Sequence, residues 1–243
     1  MIKTFKGLRG TATLYLGDCM EIIRSLPDGA FDLAIVDPPY GINAGAVRKY
    51  CTKNAKVYAP KQWDASTPDA EYFMELRRVS RNQIIWGGNY YASKLPDSRG
   101  WIFWDKRKQV ENYADGELAW TSYDRNLKKV TLQHHGFLTA DDCGSIHPTQ
   151  KPVALYEWIL RNYAEYGCSI LDTHMGSGSS VIAALRHGFQ ITACEIDPDY
   201  FNGACERIPN EISQGMLFEG DSLTKGSESS KHNMEREIDG ELL

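Results

Sequence analysis

Long apolar runs are missing from this chain: nowhere in its 243 residues is there a stretch approaching the roughly 20 that a membrane-spanning helix needs. No membrane partner is therefore expected. The N-terminal Met1-Ile2-Lys3-Thr4-Phe5-Lys6-Gly7 also lacks the apolar core of a secretory signal. The six cysteines stand singly, without a Cys-x-x-Cys pair, which removes a disulfide framework and favours reduced thiols. His134, His135, Cys143 and His147 come nearest to a ligand cluster, but their spacing fits no zinc pattern, so no metal is expected. An excess of positive charge is absent as well, the formal net charge being −5.

The distribution of that charge matters more than its sum. Residues 219–243 hold seven acids against three bases, so this segment carries −4 and the remainder is near −1. Rich in Ser and Gly and poor in aromatics, it reads as a disordered tail. Between Asp37 and Asp64 there is no acid at all, while Arg48, Lys49, Lys53, Lys56 and Lys61 crowd the same interval. Two further basic groups come later, Arg99/Lys106/Arg107/Lys108 and Arg125/Lys128/Lys129. Such groups suit a face that tracks phosphates, with binding that weakens steeply as salt rises.

Strand and helix patterns alternate along the chain. Strand-like runs fall at 11–16, 31–36, 83–86, 101–104, 118–120, 169–171 and 190–195. Helical spacing falls at 20–26, 71–79 and 179–186, and Pro152 and Pro198 each open a further helix at its first turn, the second running toward Arg207. This order predicts an α/β fold with a mainly parallel sheet, helices on both faces and ligands at the C-terminal strand ends. Residues 41–66 and 105–146 lack the rhythm, as functional loops often do.

Asp37-Pro38-Pro39-Tyr40 comes directly after the apolar run Phe31–Val36. Proline donates no backbone N–H, so the carbonyls of Pro38 and Pro39 are expected free to accept. With the Asp37 carboxylate and the flat Tyr40 ring they form a grip for an exocyclic amino group on a planar heterocycle. Further on, Gly176-Ser177-Gly178 lies between a strand and a helix, where backbone N–H groups and the positive helix end gather. A dinucleotide fingerprint is excluded there, because Val181 stands at the third glycine position.

Four segments together resemble the amino-directed (N6-adenine/N4-cytosine) DNA methyltransferase family, over about residues 11–208. They are Asp37–Tyr40, His147-Pro148-Thr149-Gln150-Lys151-Pro152, Leu171 to Ser180, and Ala193-Cys194-Glu195-Ile196-Asp197. The catalytic half (about 11–105) precedes the cofactor half (about 147–208), an order similar to the permuted β group, and the resemblance implies target-recognition and DNA-contact segments at about 41–66 and 105–146. The resemblance implies a Rossmann-like, S-adenosyl-L-methionine-dependent fold within one domain, residues 1–218. Asp37, Pro38, Pro39 and Tyr40 would be catalytic. Asp18, Thr149, Lys151, Asp172, His174, Gly176, Ser177, Gly178 and Glu195 would hold the cofactor. Asp172 would face its ammonium, Glu195 its ribose hydroxyls and Asp18 its adenine amino group. Thr149 is equally placed to cap the helix that Pro152 opens. The family often has Asp-Pro-Phe before these glycines; Asp172-Thr173-His174 departs from that, and His174 would bring a pH-sensitive ring to the site.

The activity that the resemblance implies is methyl transfer to N6 of a flipped-out adenine in double-stranded DNA, since permuted enzymes acting on cytosine more often begin the motif with Ser. N4 of cytosine is the alternative, and a non-catalytic DNA-binding or cofactor-sensing protein is the rival of another class. Arg48, Lys49, Lys53, Lys56, Lys106, Arg107 and Lys108 would contact DNA. A homodimer suits so small a recognition region. Cytoplasmic residence, in a bacterium or a phage-infected host, is expected, and the role as restriction partner, regulator or viral protection is left open.

Overall fold

The computed structural model describes residues 1–7, 9–45, 61–107, 114–132 and 146–223, with side chains as far as residue 213. Its strands are β1 (Ile2–Lys6), β2 (Thr11–Leu16), β3 (Phe31–Val36), β4 (Ser80–Trp86), β5 (Trp101–Asp105), β6 (Gly116–Thr121), β7 (Lys128–Thr131), β8 (Ser169–Asp172) and β9 (Gln190–Glu195). The α-helices are α1 (Cys19–Arg24), α2 (Ala70–Val79), α3 (Val153–Tyr163), α4 (Ser179–Arg186) and α5 (Pro198–Leu223). All nine strands join one sheet in the order β1-β2-β9-β8-β3-β4-β6-β5-β7. The five strands β2-β9-β8-β3-β4 are mutually parallel, β6 runs antiparallel to both β4 and β5, and β1 pairs antiparallel with β2.

Both faces are covered, which explains why β3 reads as a continuous apolar run. Leu33 and Ile35 pack with Ile84, Leu155, Ile182 and Phe201 beneath α3, α4 and α5. Phe31, Ala34 and Val36 pack instead with Ile23, Phe73, Leu76 and Ile85 beneath α1 and α2. From Leu33 to Val36 the period-two alternation of a strand thus divides one segment between two cores, while Phe31, at the strand's start, departs from it. Helix α2 begins where the Asp69 side chain accepts from the Tyr72 amide at 3.0 Å, buries Tyr72, Phe73, Leu76 and Val79, and ends with Arg77 and Arg78 in its last turn.

The sequence pattern locates seven of these strands and all five helices, and differs from the structure at specific places. It shows neither β1 nor β7: β7 buries only Val130, so it lacks a strand's apolar alternation. Pro152 stands one residue before α3, as its N-cap, whereas Pro198 is the first residue of α5. Helix α5 continues past Arg207 to Leu223, into the segment expected as tail from 219; residues 224–243 lie outside the described residues.

Candidate active site

Three neighbouring strands of the sheet deliver the site. β3 pairs with β8 through Leu33↔Ile170 and Ala34↔Leu171, and continuing that register sets Asp37 level with His174. β8 in turn pairs with β9 through Asp172↔Ala193, which carries Glu195 to the same end of the sheet. Parallel strands with ligand-binding residues at their carboxyl ends are the arrangement a doubly wound sheet provides.

The Asp37 side chain is 18% exposed, so one approach to it stays open. Oδ1 accepts from the Tyr40 hydroxyl at 2.7 Å and Oδ2 from Lys151 Nζ at 2.5 Å. Each carboxylate oxygen has two lone pairs, leaving capacity for an incoming donor. Burial raises the Asp37 carboxyl above its ordinary value, against the pull of the Lys151 ammonium. Burial, then Asp37 and Glu117, drive the Tyr40 phenol well above its own, so it acts as a neutral donor. The Lys151 ammonium is itself raised, the two carboxylates beside it overcoming its burial.

The prolines are less free than expected. The hydroxyl of Tyr91, a fully buried residue, lies 2.6 Å from the Pro38 carbonyl oxygen and 2.7 Å from that of Pro39. Its single proton serves one of them at a time, and each carbonyl keeps a second lone pair. The turn after Pro39 is held by Asp64, 1% exposed, whose Oδ1 accepts from the amides of Tyr40 (2.6 Å) and Gly41 (2.9 Å) while Oδ2 accepts from Ala44 (2.7 Å). Sequence reasoning picks out neither Tyr91 nor Asp64. The latter's only signal is a lone acid ending a long basic interval. The Tyr40 ring stacks on that of half-exposed Tyr90, centroids 4.8 Å apart and planes 15° apart. Gly87 presses on the same ring so closely that a Cβ there would come within 2.2 Å of Tyr40 Cε1.

In the second half of the site, Gly176 and Gly178 take φ of 51° and 78°, the left-handed region that lets the chain turn from β8 into α4. Glu195 accepts from the Gly176 amide through Oε2 and from the Asp197 amide through Oε1, both at 2.9 Å. Asp172 accepts from the His174 amide at 3.0 Å and from the Ser180 hydroxyl. Burial pushes both carboxyls up to about 7. Two buried, backbone-anchored carboxylates beside a glycine turn suit a ligand that brings an ammonium group and a vicinal diol. Ser177 is buried in the same turn, its carbonyl accepting from Arg207 at 3.1 Å.

Several expected residues take other positions. Burial brings His174 down to about 4, so its ring is neutral near pH 7 and is not the pH-sensitive group; its Nδ1 lies 2.9 Å from Thr173 Oγ1. Thr149 does not cap α3: its hydroxyl lies 3.1 Å from His147 Nδ1, and α3 has no side-chain cap. Lys151 is turned to the Asp37 carboxylate, away from the glycine turn where a cofactor contact is expected. Asp18 N-caps α1, accepting from the Met20 amide at 2.8 Å. Lys106, expected on a phosphate-binding face, is paired with Glu117 and is only 15% exposed, because that carboxylate neutralises it inside the site. Arg107 is exposed. Arg48, Lys49, Lys53, Lys56 and Lys108 lie outside the described residues. Among the described residues no helix is long and apolar enough to cross a membrane.

Comparison with known proteins agrees with this architecture. A family model described as DNA methylase matches residues 89–206, a span that contains the glycine turn and Glu195 but not Asp37–Tyr40. The type II methyltransferase M.BglII of Bacillus subtilis is 22% identical over 256 aligned residues, covering 84% of this chain and 71% of its own. The crystal structure of the M1.HpyAVI–SAM complex is similar with a TM-score of 0.53 at 20% identity, covering 81% of this chain and 99% of that one. PvuII DNA methyltransferase (cytosine-N4-specific) is similar with a TM-score of 0.55 at 15% identity, covering 88% and 97%. At such identities these structures establish the fold alone, a Rossmann-like α/β fold.

Proposed function

We propose that the chain is a member of the amino-methyltransferase family, whose DNA methylase model matches residues 89–206, and that it methylates N6 of a flipped-out adenine in double-stranded DNA. The observation that carries this reading is Asp37, an anchored, partly exposed carboxylate at the same end of the sheet as the glycine turn that follows the next strand.

S-adenosyl-L-methionine, when bound, supplies an electrophilic methyl group on a sulfonium centre. Asp172 and Glu195 fit its ammonium and its ribose hydroxyls, and the close turn at Gly176 fits its methionine half. Asp37 and the Pro38 carbonyl accept from the two amino hydrogens of the base, which favours a more pyramidal nitrogen and aims its lone pair at the methyl group. The work of the protein is positioning and a preset electrostatic environment, and the proton leaves after or during transfer. No covalent intermediate is needed. Extrusion of the base costs a few kcal/mol. Stacking on Tyr40 recovers about 1–3 kcal/mol of it, and it requires Tyr90 to leave the face it covers.

Adenine is preferred because the motif begins with Asp. The test is incubation with methyl-labelled S-adenosylmethionine and unmodified DNA, digestion to nucleosides and identification of the labelled one by mass. N6-methyladenine is the expected product. N4-methylcytosine would overturn the choice of base but keep the mechanism. DNA left without label, with cofactor binding intact, would overturn the activity.

A further inference from the structure

Glu117 enters the site from β6, on the far side of β4, and neither the motif nor the cofactor turn accounts for it. Its Oε2 lies 3.0 Å from Lys151 Nζ and 3.2 Å from the Tyr40 hydroxyl, while its Oε1 receives Lys106 Nζ. Lys151, with a side chain 4% exposed, is therefore shared between two carboxylates and is nearer to Asp37 (2.5 Å) than to Glu117. The rings of Tyr40 and Trp86 flank the same ammonium, their centroids each 5.4 Å away.

The formal charges of Asp37, Glu117, Lys151 and Lys106 cancel. Without Glu117 the group becomes net cationic, and the whole Lys151 charge falls on Asp37. That would weaken Asp37 as an acceptor just where the attacked amine becomes positive. In the low dielectric of a buried site such a change acts strongly on a developing charge. Resting on the methyl-transfer reading above, we infer that Glu117 is a positioning residue of the reaction: it divides Lys151 between two carboxylates and holds the cluster neutral, so that Asp37 keeps its accepting strength toward the amine.

The electrostatics agree with the geometry. Burial works to raise the Glu117 carboxyl, yet the ammoniums of Lys151 and Lys106 bring it down to about 2, so it stays ionised. Asp37 feels burial, Lys151, Glu117 and the Tyr40 hydroxyl, and its charge in turn reaches Tyr91, Tyr156 and Asp172. Within this set Glu117 raises the Asp37 carboxyl and Lys151 lowers it.

The experiment is single-turnover methyl transfer at saturating S-adenosylmethionine and DNA, followed from pH 5 to 9, for the unaltered protein, Glu117→Gln, Lys106→Met and the double variant. Glu117→Gln is expected to slow transfer at least about tenfold, with cofactor affinity kept and the acid limb of the rate profile displaced to lower pH. The double variant, neutral again, is expected to recover most of that loss, whereas a merely structural glutamate would leave it no better than the single variant. Should Glu117→Gln fail to fold, Lys106→Met alone decides: the excess negative charge must displace the acid limb to higher pH. An unchanged limb in Lys106→Met, or a rate for folded Glu117→Gln equal to that of the unaltered protein, overturns the inference. If the unaltered protein labels no nucleobase, the methyl-transfer reading itself fails and this inference fails with it.

Discussion

Asp64 offers the most direct test of how the turn at Asp37–Tyr40 is held. Its two oxygens satisfy three backbone amides, two on Oδ1 and one on Oδ2, in a place where the residue is 1% exposed. Asp64→Asn keeps the doubly used oxygen and turns an amide NH2 toward the Ala44 N–H, so one bond is lost. A buried donor left without its partner costs about 1–3 kcal/mol. Asp64→Ala strips all three amides at once; with partial rehydration and neighbours that share one turn, the loss is about 3–5 kcal/mol. In urea, with a slope of about 2–3 kcal/mol per molar, the midpoint should fall by about 0.5–1 M for Asn and about 1–2 M for Ala. Methyl transfer should fall in the same order, because the Tyr40 amide is one of the three. The reasoning is refuted if both variants lose the same stability, or if Ala loses under about 1 kcal/mol.

Cofactor affinity should weaken as pH falls from 8 to 6, because Asp172 and Glu195 are raised to about 7 by burial and lose charge across that window. The slope is up to about tenfold per pH unit for each proton taken up, while His174→Phe should leave the profile unchanged; a flat profile by titration calorimetry would count against the assignment. The same two groups stabilise the cofactor-free fold fully below the ordinary carboxylate range and lose that contribution as pH rises through about 7. Asp37→Ala should abolish transfer and leave cofactor binding intact; near-normal labelling of DNA by this variant would sink the mechanism. Tyr40→Ala should mainly weaken target-base binding, read from the fluorescence of 2-aminopurine at the target. Tyr90→Ala should tighten it by up to about tenfold, since the ring pair it removes is worth about 0.5–1.5 kcal/mol; weaker binding would mean that Tyr90 holds the base rather than its place.

How much of this molecule is legible in its sequence depends on the range over which each signal acts. Strands buried on both faces announce themselves, as Phe31–Val36 and Gln190–Glu195 do, because burial demands apolar side chains at nearly every position. β7 does not, since it buries one residue. The glycine turn and the motif at Asp37 are legible because local backbone chemistry fixes their residue types. The partners that complete them are not. Tyr91 reaches Pro38 across 53 residues, Glu117 reaches Tyr40 across 77 and Lys151 reaches Asp37 across 114. A lysine in a basic stretch, such as Lys106, looks like a phosphate contact until the fold supplies its carboxylate. His174 misleads in the same way, because burial decides its charge and burial is a property of the assembled sheet.

The strand order sets the moment at which a growing chain can become active. β8 and β9, made last, lie between β2 and β3, made first. A nascent chain that ends before β8 would have to hold open a gap two strands wide, each lane about 4.8 Å, with unpaired edges on both sides. Such edges invite pairing with other chains. The last third of the protein thus serves as a wedge that closes the sheet, and the Asp37 carboxylate meets the glycine turn only when that wedge is driven home. Two fragments divided between β7 and α3 should accordingly be inert apart and recover activity only on co-folding.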